Sequence, residues 1–215
     1  VMGETENLVR RLIDEAGETY AEEAGIRLKD QPMPLFQLLV LAMLASKPID
    51  AGIATKAARE LFATGLRTPR AVIDGDRQTA IKAFGRAGYA RYDESSATRL
   101  CDMAMLVRDE YGGDLRHLAA DCKEDRDAAV AALQQFKGIG QTGADIFMRE
   151  VQDVWSWVRP YFDDRALTAA RELGLPAEPE RLEELAPRRT AQLAAALVRV
   201  SLDSELRDRV TSPKE

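Results

Sequence analysis

The sequence predicts an all-α protein made of two helical subdomains with a cleft between them. Apolar residues recur at spacings of three and four along almost the whole chain, and alternating β-branched runs are missing. Aspartate, threonine, glycine and proline stand where helices would start and stop.

Taken in order, the first helix should span residues 5–26 on Leu8, Leu12, Ala16 and Tyr20, with Pro32 and Pro34 ending that segment. Residues 36–45 are apolar all round, which marks a buried central helix. Asp50 can cap the next helix, which carries Ile53, Ala57, Leu61 and Phe62 and stops at Gly65. Thr68 followed by Pro69 is a cap with proline in the first turn. A helix over 76–84 should precede the Gly85-Arg86-Ala87-Gly88-Tyr89 turn. A longer one over 93–111 carries Ala97, Leu100, Met103, Ala104 and Val107 and ends at Gly112-Gly113. Helices over 125–136 and 141–155 then form a hairpin joined by four residues. After the segment 155–162, helices are expected over 163–173 and 190–202, with a frayed tail at 212–215. One subdomain should comprise residues 34–151 as a six-helix unit carrying the hairpin. The other should combine 1–33 with 152–215, from both chain ends.

Composition narrows the function classes. At 215 residues, 46% hydrophobic and 31% charged, the chain can bury an ordinary core. No apolar run approaches the roughly 18 residues of a membrane span, and the first residues are acidic where a secretory signal would be basic. A cytoplasmic protein with no membrane partner is expected, nucleoid-associated if bacterial. Cys101 and Cys122 offer neither a disulfide framework nor the spacing of a zinc or iron–sulfur site, and the lone His117 excludes histidine-rich metal catalysis. A net charge of −6 argues against an indiscriminate nucleic-acid binder. Acids cluster over 4–23 and 178–184, outside the hairpin, so a neutral or mildly basic face remains open.

Two motifs carry chemistry. Phe136-Lys137-Gly138-Ile139-Gly140-Gln141-Thr142-Gly143-Ala144-Asp145 places two glycines around one apolar residue between helices. Gly138 suits a left-handed helix end, and Gly140 leaves backbone uncovered before a helix whose free N–H groups can meet a phosphate. Taken alone, the same residues describe a plain tight turn, and Lys137 either touches phosphate or is solvated. The second motif, Tyr161-Phe162-Asp163-Asp164-Arg165, opens a helical pattern 21 residues after Thr142, and either acid can also be a helix cap.

With Phe36-Gln37-Leu38-Leu39 and the run Leu44-Ala45-Ser46-Lys47-Pro48-Ile49-Asp50, these blocks make the chain resemble the helix-hairpin-helix DNA glycosylases of the endonuclease III superfamily over roughly residues 36–170. The resemblance implies a base-excision repair enzyme that swings a damaged base out of double-stranded DNA and breaks its N-glycosidic bond. The DNA contacts it implies are Lys47, Lys137, Gly138, Gly140, Thr142 and Gly143. It implies Asp163 as the carboxylate that stabilises the cationic sugar and orients water, with Asp164, one step out of phase, as the alternative. Bifunctional relatives carry a Schiff-base lysine where this chain has Thr142, so a monofunctional, monomeric glycosylase is expected. Lys47 stands where several relatives have a gap-filling glutamine. The C-terminal cysteine cluster is absent from the sequence, so no iron–sulfur cofactor is expected, as in the cluster-free alkylation-repair branch.

Trp155, Trp157 and Tyr161, with Phe162, are candidates to stack on an extruded base or to pack in the core. Tyr89 and Tyr92, in a polar turn, are candidate DNA contacts. By resemblance the carbonyls of Gln134, Phe136 and Ile139 would hold a structural Na+ or K+. Two other readings stay open: a non-catalytic hairpin protein that binds abasic or distorted DNA, and a helical interaction module that never meets DNA.

Overall fold

Short polar side chains set many of the helix starts. Asp50 accepts the amides of Gly52 and Ile53, Thr68 that of Ala71, Asp76 that of Gln78, and Asp125 that of Ala128. Each such cap is worth about 1 kcal/mol. A computed structural model describes residues 3–212, and among them every regular element is helical. In chain order the helices are α1 (Glu4–Ala16), α2 (Tyr20–Glu23), α3 (Pro32–Ala45), α4 (Ala51–Ala63), α5 (Pro69–Asp74), α6 (Arg77–Arg86) and α7 (Asp93–Tyr111). They continue with α8 (Arg116–Asp121), α9 (Arg126–Leu133), α10 (Gln141–Val151), α11 (Asp164–Glu172), α12 (Pro179–Leu185), α13 (Thr190–Leu202) and α14 (Ser204–Thr211). No described helix is long and apolar enough to cross a membrane.

The uniformly apolar run becomes α3, and Phe36, Leu38, Leu39, Val40, Leu41, Ala42, Met43 and Leu44 are each 0% exposed. A helix apolar on every side needs neighbours on every side, and α3 packs against α4, α7 and α10. Truncating one of its leucines to alanine should cost about 2–5 kcal/mol. Near the chain ends, α13 packs against α1, α11 and α14. Helix α10 touches both α3 and α13, so it lies where the two groups meet.

Several elements depart from the sequence reading, for local reasons. The helix expected over 5–26 breaks after Ala16, because Thr19 and Glu22 form a reciprocal capping box that starts α2. Pro32 opens α3 at its first position, where its missing N–H costs nothing, and does not act as a stop. The hairpin connection runs over 134–140, longer than four residues, since the chain tightens after Leu133, with Phe136 N–H donating to the Leu133 carbonyl. Helix α10 ends at Val151, and Trp155 lies beyond it, its ring meeting Phe147 edge-on. The short helices α8, α12 and α14 escape the periodicity because each buries one apolar residue, Leu118, Leu182 and Val210 respectively. Residues 213–215 of the expected tail lie outside the described residues.

Tyr89 does not sit at a polar surface. It is 0% exposed, its hydroxyl donates to the Leu44 carbonyl at 2.8 Å, and Phe84 and Tyr92 flank its ring. A tyrosine so buried needs an acceptor for its O–H, and the end of α3 supplies it.

Candidate active site

Beyond Phe136, Ile139 N–H donates to the Phe136 carbonyl at 3.0 Å and the chain reverses at Gly138. The φ of +92° at Gly138 lies in the region that side chains disfavour, so glycine is required there. Gly140 then opens α10 in an extended conformation, exposed, with open space where a side chain would project. No side chain caps this helix, so its first amides and the positive end of its dipole are left for a ligand. Gly143 also sets the packing. It is buried, and a Cβ there would lie 3.3 Å from Ile139 Cγ2 and 3.5 Å from the Ala42 carbonyl oxygen, so its smallness lets α10 approach α3.

The loop after α3 is tied to this corner. Ser46 Oγ lies 3.2 Å from the Gly138 carbonyl oxygen, and half-buried Lys47 follows it. Lys137 projects into solvent with its Nζ 3.9 Å from Asp102. Around the corner Gln134 donates to Gln141 at 3.0 Å, and Gln141 and the Tyr161 hydroxyl both donate to Asp145 Oδ1 at 2.9 and 2.6 Å. Burial nevertheless pushes the Asp145 carboxyl above its ordinary range, and burial first, then Asp145, pushes the Tyr161 hydroxyl up.

Asp163 caps α11, its Oδ1 accepting the Ala166 amide at 3.0 Å, while Oδ2 accepts Nη1 of Arg149 at 2.9 Å. Arg149 is buried, its side chain 2% exposed, and Asp163 is half-buried, its side chain 10% exposed toward the cleft. Asp164 is exposed in the first turn of α11. The approach to Asp163 is fixed by Gln152, which donates to the Tyr161 carbonyl and accepts the Tyr161 amide, both at 2.9 Å.

A cleft of about 370 Å³ joins the two motifs, with Thr142 and Asp163 both in its wall. Among the described residues Lys47, Arg149 and Arg165 face it as cations against the single carboxylate of Asp163, and Ile49, Ile146, Val198 and Leu202 supply apolar surface. In a chain of net charge −6 this concentrates positive charge at one place. Such a cleft can hold a phosphate, admit a flat ring and set one carboxylate beside a sugar.

The four aromatic residues considered for base stacking are elsewhere, Phe162 among them in the core. Trp155 is 3% exposed, stacks on Trp157 with centroids 5.5 Å apart, and donates from Nε1 to Asp30 at 2.9 Å. Tyr161 is engaged with Asp145, and none of the four lines the cleft. The aromatic residue that does is Tyr20, brought in by α2. The carbonyls at 134, 136 and 139 offer neutral oxygens, the donor type a monovalent cation takes, and that of Phe136 already accepts one amide.

Arg149 is the site residue the motifs missed. Its place seven residues after Thr142, two helical turns, puts both on one face of α10, and that spacing was the available signal. The next residue, Glu150, is 1% exposed and accepts the Ala21 amide at 2.7 Å, which fixes α2 to α10. Burial, opposed by Arg149, pushes its carboxyl up to about 7.

No family model matches the chain, and no curated protein matches it. Among solved structures it is similar to one described as "Structure of a Trapped Endonuclease III-DNA Covalent Intermediate: Estranged-Adenine Complex", at 17% identity and a TM-score of 0.49, over 91% of this chain and 85% of that one.

Proposed function

We propose that this chain is a monomeric DNA N-glycosylase that hydrolyses the bond between deoxyribose and a damaged or modified base in double-stranded DNA. The observation that carries this reading is the shared cleft: the carboxylate of Asp163 and the open N-terminus of α10 at Thr142 line the same wall. Amides at the glycine corner grip a backbone phosphate, and a monovalent cation held by the carbonyls of Gln134, Phe136 and Ile139 would add positive charge beneath it. Lys47 and its loop enter the gap that the extruded base leaves. Asp163 then stabilises cationic character on the sugar and orients the attacking water.

At position 142 the side chain is a threonine hydroxyl, which cannot form an imine, so the product is an intact strand with an abasic site. The test is base release from duplexes carrying alkylated, oxidised, deaminated or mismatched bases, with borohydride added in a parallel set. Release without a trapped covalent adduct is the expected result. No release of any base, or an adduct abolished by changing one lysine, defeats the proposal.

One observation favours a second reading. Arg149 already neutralises Asp163, an arrangement that also suits a protein that holds abasic or distorted duplex without turnover. That reading requires tight binding of such duplexes, no release, and indifference to Asp163→Asn.

A further inference from the structure

The glycosylase reading leaves the class of base open, and this inference rests on that reading. We propose that Arg149 reads the extruded base and stabilises it as it departs as an anion, so that the cleft takes neutral, carbonyl-bearing bases and rejects cationic N-alkylated ones.

Arg149 lines the cleft with its side chain only 2% exposed, and its Nε has no hydrogen-bond partner among the described residues. A buried guanidinium with an unpaired donor is costly unless a ligand completes it. The acceptor it lacks is a carbonyl oxygen or the lone pair of a ring nitrogen, which neutral bases carry on their edges. Lys47 and Arg165 add positive charge to the same wall, against one carboxylate. The π face that a cationic base would seek is also taken: Tyr20 is the one aromatic residue lining the cleft. The guanidinium carbons of Arg149 and Arg199 lie 5.5 and 4.3 Å from its ring centroid.

The chemistry follows from where the electrons go. When the bond from C1′ to a neutral base breaks, its electron pair leaves on the base nitrogen, and a cation beside that base lowers the barrier. Water oxygen bonds to C1′, one of its protons stays on the new hydroxyl, and the other ends on the departed base. A cationic N-alkylated base leaves as a neutral molecule, gains nothing from Arg149 and is repelled by it before it leaves.

The experiment uses matched duplexes containing uracil, 5-fluorouracil, hypoxanthine or 7-methylguanine, with the wild-type chain, Arg149→Lys and Arg149→Gln. Each rate is divided by the spontaneous rate for that base. The wild type should favour at least one neutral base over 7-methylguanine by about 10²-fold or more, the scale of one well-placed donor. Arg149→Gln should lose more on uracil than on 5-fluorouracil, whose anion is the better leaving group, and Arg149→Lys should fall between. An equal loss on all bases shows a structural role only and overturns the proposal. A wild-type preference for 7-methylguanine overturns it too, needs no variant to fold, and leaves the glycosylase reading standing. Release of no base by the wild type defeats that reading and this inference together.

Discussion

At its N-terminus α10 presents charge without burying any, through bare amides beside an exposed glycine, whereas two turns later Arg149 and Glu150 carry ionisable groups into the interior. The first arrangement costs little, because water serves the amides until a ligand replaces it. The second is expensive, and holds only because Arg149 meets Asp163 and Glu150 meets the start of α2. One helix thus supplies an adaptable grip at one end and a rigid cleft wall at the other. The difference predicts which substitutions change binding and which change folding.

The largest effect should come from Arg149→Ala, which empties a buried site and strips half-buried Asp163 of its partner, and should cost about 3 kcal/mol in denaturant unfolding. Replacing both residues with apolar ones of similar volume should restore much of that stability while removing activity. If Arg149→Ala is as stable as the wild type, the buried pair does not hold the wall.

Glu150 gives the next effect, through pH. Its carboxyl is pushed from an ordinary 4.5 to about 7 by burial, so the folded state binds this proton more tightly than the unfolded chain. Its contribution to stability is fully present below about 4.5 and is lost as pH rises through about 7. Between pH 5 and 8 the wild type should therefore lose stability relative to Glu150→Gln, on the order of a few kcal/mol at most. Parallel stability profiles for the two proteins would show that the carboxyl does not titrate in this window.

The smallest effect belongs to the open end. Gly140→Asp gives α10 a cap and should stabilise the fold by a few tenths of a kcal/mol. The same carboxylate repels phosphate and occupies the amides, so duplex binding should weaken by roughly tenfold. A variant that gains stability and binds DNA as well as the wild type would mean the helix end is not the grip.

The helices read well from sequence where one residue type settles the matter locally. Asp50, Thr68, Asp76 and Asp125 each cap within three residues of themselves, and α3 is apolar in every direction. Thr142 and Asp163 could be singled out for the same reason, since each stands beside a helix start with its own turn signal. Arg149 offered only its two-turn spacing from Thr142, because an arginine on an amphipathic helix reads as solvated until a carboxylate 14 residues away folds against it. Tyr20 reaches the cleft only through the capping box that breaks the first helix in two. Trp155, Trp157 and Tyr161 illustrate the reverse, since aromatic residues before a candidate acid look alike whether they stack on a base or on each other.

The most direct test compares the wild type with Asp163→Asn in single-turnover base release, with binding to the uncleaved duplex measured alongside. Asparagine keeps one oxygen to cap α11 but turns an NH2 toward Arg149, so the account predicts a less stable but folded protein at the assay temperature, near-normal binding and a release rate lower by about 10²-fold or more. Release at the wild-type rate by the asparagine variant would contradict it.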